Sequence, residues 1–81
     1  MLKVVLAKPD EILYEGLAES VFLPGEYGEF ELLTFHAPIM SVLKQGMVRI
    51  DDRIFNISEG IAKFDEHNEL IILAGANTTP P

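Results

Sequence analysis

The sequence predicts an all-β domain, a β-sandwich of about ten short strands in two sheets that together form a flattened barrel. Two observations carry this prediction. Apolar or alternating runs rich in Val, Ile, Leu and Phe are interrupted by turn-forming residues roughly every 6–10 positions. No window sustains the periodicity of an amphipathic helix over roughly ten residues. The chain is therefore expected to consist of strands and turns.

The N-terminal third is predicted to form three strands. Residues 2–7 are an apolar run that ends at a Lys-Pro-Asp-Glu turn. Residues 12–14 form the next piece, which is expected to end at Glu15-Gly16. Residues 17–23 alternate between two faces and indicate a third strand, with Leu17 on the same face as Leu23.

The stretch 23–46 contains the densest group of turn-forming residues and carboxylates. Its glycines suit backbone conformations with φ > 0, and its prolines fix φ and keep the preceding residue extended. Residues 29–33 indicate a half-buried strand, and residues 39–43 form the next strand. Loops of such defined shape often carry function. The turn-forming residues are Pro24, Gly25, Gly28 and Pro38, and the carboxylates are Glu26, Glu29 and Glu31.

Two tight hairpins are predicted in the C-terminal half. Residues 47–50 and 53–58 flank Asp51-Asp52, two turn-favouring residues. Residues 61–64 are expected to pair with residues 69–73 across the polar segment between them.

The length and the net charge of the chain limit the number of domains and the classes of binding partner. The 81 residues leave room for one core, so residues 1–75 are predicted to form one domain and residues 76–81 a flexible tail. Six basic and thirteen acidic side chains give a net charge of −7, which argues against nucleic acid and anionic lipid as partners. There is no cysteine, and no apolar run approaches the roughly 18 residues of a membrane span.

The carboxylates and the histidine of stretch 23–46 match no recognised catalytic or metal motif. Glu26, Glu29 and Glu31 lack the pattern of a calcium loop and are expected to form a solvated face. His36 has no nucleophile or paired carboxylate at a recognised spacing, which favours a structural or partner-facing role. The glycines match neither of the two common phosphate-binding patterns, G-x-x-x-x-G-K-S/T and G-x-G-x-x-G. We therefore expect no catalysis, no metal and no cofactor.

Six short motifs follow one another along the chain and end in an apolar strand, residues 70–74. They are Tyr14-Glu15-Gly16, Leu23-Pro24-Gly25, Gly28-Glu29-Phe30, His36-Ala37-Pro38, Leu43-Lys44-x-Gly46 and Ser58-x-Gly60. In this order and spacing they resemble the epsilon subunit of F-type ATP synthases over nearly the whole chain. Two positions depart from the family pattern. Glu59 stands where the family often has a second glycine, and Thr34-Phe35 stands where it often has Pro or Gly before the histidine.

The resemblance implies a sandwich of about ten strands followed by a C-terminal helical hairpin. No residues after Ala74 are expected to form a helix, so the chain is expected to be a natural short form or a piece that ends after the sandwich. The hairpin's roles in the family, inhibition of ATP hydrolysis and in some members ATP binding, are not carried over. The implied function is that of a non-catalytic rotor subunit in the central stalk, which links the gamma subunit to the c-ring and supports coupling of ion flow to ATP synthesis.

The implied location is the cytoplasmic face of the cell membrane, reached only through the complex. A bacterial origin is favoured over an organelle because the N-terminus lacks the pattern of a transit segment.

Two contact surfaces are expected from the resemblance. A loop facing the c-ring would offer its carboxylates to basic side chains of the ring, and a neighbouring rotor contact would extend to the gamma subunit. The ring-facing residues are Glu26, Tyr27, Gly28 and Glu29, and the residues of the gamma contact are His36, Ala37, Pro38 and Ser41.

Two other protein classes remain open. A biotinyl or lipoyl carrier module is also a small acidic β-sandwich, but it needs a lysine framed as Met-Lys-Met or Asp-Lys-Ala. The nearest candidate is Lys44, whose neighbours Leu43 and Gln45 do not match that frame. A generic ligand-binding β-barrel is the other alternative.

Overall fold

The computed structural model describes residues 1–78, and residues 79–81 of the predicted tail lie outside them. The all-β prediction is confirmed, with nine strands in the described residues where about ten were expected. Residues 1–78 contain no helix long and apolar enough to cross a membrane. The strands are β1 (Leu2–Lys8), β2 (Glu11–Ala18), β3 (Ser20–Gly25), β4 (Gly28–Leu33), β5 (Ile39–Leu43), β6 (Gly46–Ile50), β7 (Arg53–Ile57), β8 (Gly60–Phe64) and β9 (Glu69–Ala74).

The strands form two layers that are joined into one curled sheet. One layer has the order β2-β1-β9-β8-β5, and the other has the order β4-β3-β6-β7. The layers are continuous because β3 also pairs with β5, through the single register pair of Gly25 with Leu43. β1 and β9 are parallel, and the other strand pairs in the described residues are antiparallel. The predicted two-sheet sandwich is therefore a single sheet that folds back on itself.

The core lies between the two layers and is built from side chains of all nine strands, which face inward at alternating positions along each strand. Burial alternates residue by residue through β9, from exposed Glu69 to buried Ala74. Phe55 and Phe64 are the largest of the fully buried side chains. Tyr14 packs edge-on against Phe55, with ring centroids 6.3 Å apart. Because a domain of this size buries only about 60% of its unfolded surface, each of these contacts is a large share of a small net stability.

β2 is longer than predicted, and this changes where the third strand begins. The turn expected at Glu15-Gly16 is wrong, because β2 continues through these residues and pairs with β1 along its length. The break comes at Glu19, whose N–H donates to Oδ1 of Asp51 at 2.9 Å. Leu17 therefore belongs to β2 and is exposed, whereas Leu23 of β3 is buried.

The two predicted C-terminal hairpins are confirmed. β6 pairs with β7 across Asp51-Asp52, and β8 pairs with β9 across residues 65–68. Asp51 and Asn68 have positive φ angles of 53° and 59°, which Asp and Asn adopt more readily than most residues. In the predicted tail, Thr78 is buried and its N–H donates to the Gly75 carbonyl at 3.1 Å.

Loops gather at the two ends of the strands. We call one end the hairpin end, because it holds the β3–β4 and β5–β6 turns. We call the other the corner end, because it holds the segment 34–38 between β4 and β5 together with the β6–β7 and β8–β9 turns. The two predicted contact surfaces fall at different ends.

Candidate functional site

The predicted ring-facing loop is a two-residue turn at the hairpin end. Gly25 pairs with Gly28, which leaves Glu26 and Tyr27 as the turn residues. The N–H of Glu26 donates to the Val42 carbonyl of β5 at 2.9 Å, so the backbone of the turn is held against β5. The side chains face solvent, and Tyr27 is 98% exposed. A fixed backbone that presents free side chains is suited to docking, because little conformational entropy is lost when a partner binds.

The predicted gamma contact begins at a tight turn after β4. The N–H of His36 donates to the Leu33 carbonyl at 3.0 Å, which closes the turn. Phe35, the third residue of this turn, has φ of +68°, a conformation that turns of this kind normally assign to glycine. Asn68 holds the turn in place, because its Oδ1 accepts the Phe35 N–H at 2.7 Å. Phe35 belongs to the Thr34-Phe35 pair that was expected to depart from the family pattern, and its side chain is 85% exposed.

His36 makes structural contacts and has no catalytic partner among the described residues. Its ring lies edge-on to Phe64, with centroids 6.2 Å apart. Its Nδ1 lies 2.6 Å from the Ala37 carbonyl oxygen. Ala37 and Pro38 are exposed beside it, whereas Ser41 is half-buried on β5 and donates its hydroxyl to the Val42 carbonyl at 3.1 Å. Three of the four residues predicted for this contact are therefore surface residues, and Ser41 is only partly accessible.

The structure separates residues 26–29 from residues 36–38, whereas Ser41 lies next to Val42, whose carbonyl accepts the Glu26 N–H at 2.9 Å. Glu29 is at the start of β4 and His36 follows its end, so the length of the strand separates them. Six residues at about 3.3 Å each put the Glu26-Tyr27 turn and the turn that precedes His36 roughly 20 Å apart. The sandwich therefore offers two separate contact regions at opposite ends of a rigid strand.

A third surface, the outer side of the five-stranded layer, was not predicted from the sequence. Paired strands place apolar side chains next to one another on this side, most of them exposed, with Leu73 at 58%. A contiguous exposed apolar surface marks an interaction site more often than scattered apolar residues do. The run Leu70–Leu73 was the available signal, because four apolar residues in a row leave neither face of a strand polar. This apolar face consists of Val5, Ala7, Ile12, Met40, Val42, Ile61, Ile71 and Leu73.

Asp65 shapes the β8–β9 turn that supports the corner end. Its Oδ1 accepts the N–H groups of His67 at 2.8 Å and Glu69 at 3.1 Å. Desolvation is the largest single influence and raises the pKa of Asp65. The two hydrogen bonds and the charges of His67 and Lys63 outweigh it, so the pKa lies below its ordinary value. Within residues 1–78, no group of three or more His, Asp or Glu side chains is placed to hold a metal ion.

Comparison with known sequences identifies relatives. Residues 1–79 match the family described as the beta-sandwich domain of the ATP synthase delta/epsilon chain. An ATP synthase epsilon chain of Sulfurimonas denitrificans is 31% identical, and the match covers 93% of this chain and 62% of that protein. One of Campylobacter jejuni is 35% identical, with 94% of this chain and 63% of that protein covered. The chain thus spans less than two thirds of the length of these relatives.

Solved structures share the fold. A chain from the mitochondrial ATP synthase of Euglena gracilis, solved with OSCP, F1 and c-ring, superposes with a TM-score of 0.88 at 18% identity. That match covers 98% of this chain and 52% of the other. A chain from the central stalk and c-ring of the Tetrahymena thermophila enzyme gives a TM-score of 0.78 at 12% identity, covering 98% of this chain and 66% of the other. The match to the family over residues 1–79 sets aside the carrier and ligand-barrel alternatives. The chain belongs to the delta/epsilon family of ATP synthase subunits, as its beta-sandwich domain.

Proposed function

We propose that the chain is a non-catalytic rotor subunit of the central stalk in an F-type ATP synthase, where it contacts the gamma subunit and the c-ring and supports coupling of ion flow to ATP synthesis. The observation that carries this proposal is the geometry of the domain: one curled sheet in two packed layers, with fixed, solvent-facing turns at both ends of its strands. A part that transmits torque must be stiff, and close packing with cross-strand hydrogen bonds supplies stiffness. The family membership supports the proposal.

The hairpin end is proposed as the surface that meets the c-ring. Glu26 and Glu29 are exposed there and take part in no ion pair within the described residues, so both charges are free to meet a basic partner. Tyr27 stands between them as an exposed aromatic side chain, a residue type enriched in the energetic centres of interfaces. Rim charges of this kind set the orientation and the rate of docking more than the final affinity.

Reversing both charges at the hairpin end should weaken docking. We expect the double variant Glu26→Lys, Glu29→Lys to bind a reconstituted gamma–c-ring complex about tenfold more slowly at low ionic strength, with a flatter salt dependence. Association rates measured by surface plasmon resonance at low and high ionic strength test this expectation. The matched control is Glu15→Lys with Glu31→Lys, which makes the same change in net charge at exposed positions within β2 and β4, away from the turns at both ends of the strands. If the parent and the double variant have equal association rates and equal salt dependence, the hairpin end is not the surface that meets the c-ring.

The segment 35–38 of the corner end is proposed as the gamma contact, which adds Phe35 to His36, Ala37 and Pro38. Phe35 is an exposed aromatic side chain in a backbone conformation that costs about 1 kcal/mol or more relative to glycine. An aromatic side chain held outward under strain adds nothing to the core. Its position is explained if a partner buries it.

Two substitutions separate binding from stability at the corner end. Phe35→Gly should raise the free energy of unfolding by about 1 kcal/mol, because it relieves the strained φ, while it weakens gamma binding about tenfold. His36→Ala should cost about 0.5–1 kcal/mol of stability through its lost edge contact with Phe64, and should also weaken gamma binding. Urea unfolding and calorimetric titration with gamma subunit measure the two quantities.

The control for the corner end is His67→Ala, at an exposed histidine of the neighbouring β8–β9 turn. It should change neither gamma affinity nor stability appreciably. A result in which His36→Ala lowers stability but both corner variants bind gamma as tightly as the parent would assign the corner a purely structural role.

In the assembled enzyme the chain would be a peripheral subunit at the cytoplasmic face of the membrane in a bacterial cell. The bacterial relatives support this placement.

A further inference from the structure

Four charged side chains lie on the same side of the sheet as the apolar face: Lys63 stands between Ile71 and Met40, and the other three are at the border of the face. Strand pairing places Lys3 of β1 beside Glu69 of β9, at the end of the face nearest the corner end. Two residues further along the strands, Glu15 of β2 and Lys63 of β8 stand on either side of the neighbouring pair Val5 and Ile71. All four are exposed, and none forms an ion pair with another residue of the segment 1–78.

This arrangement is complementary to itself under a twofold rotation. Suppose that the axis lies between the two facing copies, runs parallel to the strands and passes in front of the boundary between β1 and β9. Then β1 of one copy lies over β9 of the other, and β2 lies over β8. Because such a rotation keeps each row at its own height along the strands, Lys3 then faces Glu69 of the second copy, and Glu15 faces Lys63 of the second copy. Each charge meets the opposite sign, and each pair occurs twice.

The same rotation matches the apolar side chains. Val5 lies over Ile71 of the second copy, and Ile12 over Ile61. Sheets that pack face to face keep their strands nearly aligned at a separation of about 10 Å, which this rotation permits. β5 stays outside the overlap, so its Met40 and Val42 remain uncovered.

We propose that the free chain pairs with a second copy of itself through the apolar face, about a twofold axis parallel to β1 and β9. The contact is small: four strands about 4.8 Å apart and some five residues of about 3.4 Å each give an overlap of roughly 330 Å² per copy, which is below the range of stable interfaces and typical of weak, transient ones. Self-association is therefore weak and reversible, with a dissociation constant of about 10–100 µM. A rotor partner can displace the second copy.

Two charge-reversal variants of the apolar face test the proposal, first each alone and then mixed with each other. Glu15→Lys and Lys63→Glu each place like charges opposite one another in the homodimer. We expect each variant alone to associate at least tenfold more weakly than the parent. In a mixture of the two variants every facing pair is again of opposite sign, so we expect a heterodimer within about threefold of the parent affinity. Sedimentation velocity of the 81-residue chain over a micromolar to submillimolar range measures all four samples.

The control variants are Glu29→Lys and Lys44→Glu, which make the same charge changes at the hairpin end and should leave the association of each variant at the parent level. The proposal is overturned by a parent chain that stays monomeric throughout this range, by single variants that associate as the parent does, or by a mixture that stays monomeric. Circular dichroism confirms that each variant is folded. Because these samples contain no gamma subunit or c-ring, the result is independent of the rotor function.

Discussion

Replacing Gly25 with alanine is expected to remove about 2–4 kcal/mol from the free energy of unfolding, a large share of the total for a domain of this size. A Cβ atom at this position would lie 2.6 Å from the Gly28 carbonyl oxygen and 2.8 Å from a ring carbon of Phe30. The oxygen belongs to the backbone of the β3–β4 hairpin, so it cannot move without breaking the pairing. Gly25 is also the residue through which β3 pairs with β5, and a shift there would part the two layers.

Urea unfolding followed by circular dichroism measures the loss, and Gly16→Ala is the matched control. A Cβ at Gly16 would lie 3.6 Å from the nearest atom, the Tyr14 hydroxyl oxygen, which is ordinary van der Waals contact. Alanine is also no worse than glycine inside a strand. We expect Gly16→Ala to change the free energy of unfolding by less than about 0.5 kcal/mol. Equal effects of the two substitutions would show that the close approach at Gly25 is not what the fold requires.

The strands were predictable where local sequence alone decides them. Alternating runs and Asp-Asp or Asn-containing turns define β6 to β9, because a hairpin with a tight turn involves only neighbouring residues. β2 was misjudged because Glu15-Gly16 has the composition of a turn, yet Gly16 pairs with Val4 of β1. Glycine permits a turn without requiring one, and pairing with a neighbouring strand decided the outcome.

The contact surfaces were predictable as residues but not as an arrangement. Turn chemistry correctly indicated that the segment around Gly25 and Gly28 is shaped and exposed. Local sequence carries no information on the separation of this segment from His36, because the direction of β4 between them sets it. The apolar face was missed for the same reason. Its members come from five strands, and only the register of those strands places Ile71 beside Lys63.

Asp51 shows how one side chain can replace the strand pairing that is missing at the corner end. Its Oδ1 accepts the N–H of Glu19 at 2.9 Å and that of Ser20 at 3.1 Å, and its own N–H donates to the Ser20 carbonyl at 3.0 Å. These residues form the passage from β2 in one layer to β3 in the other. Asp51 therefore joins the two layers at the corner end, as the pair of Gly25 with Leu43 joins them at the hairpin end.

Asp51→Ala is therefore expected to cost about 2–3 kcal/mol in the free energy of unfolding. Two hydrogen bonds to a carboxylate are lost, and alanine at φ of 53° adds about 1 kcal/mol of backbone strain. Asp51→Asn keeps an acceptor oxygen and tolerates the positive φ, so it should cost less than about 1 kcal/mol. Asp51→Gly relieves the strain but loses both bonds, and it should fall between the other two.

The order alanine, glycine, asparagine, from most to least destabilising, separates the hydrogen bonds from the backbone strain. Urea unfolding of the three variants measures it, with Asp52→Ala as the control, because the exposed Asp52 side chain accepts none of the bonds that bridge the layers. If glycine proves as stable as the parent, strain alone accounts for the loss, and the carboxylate does not join the layers. If the expected order holds, one carboxylate keeps the β2–β3 passage closed, and the sandwich is rigid at both of the ends that are proposed to meet the rotor.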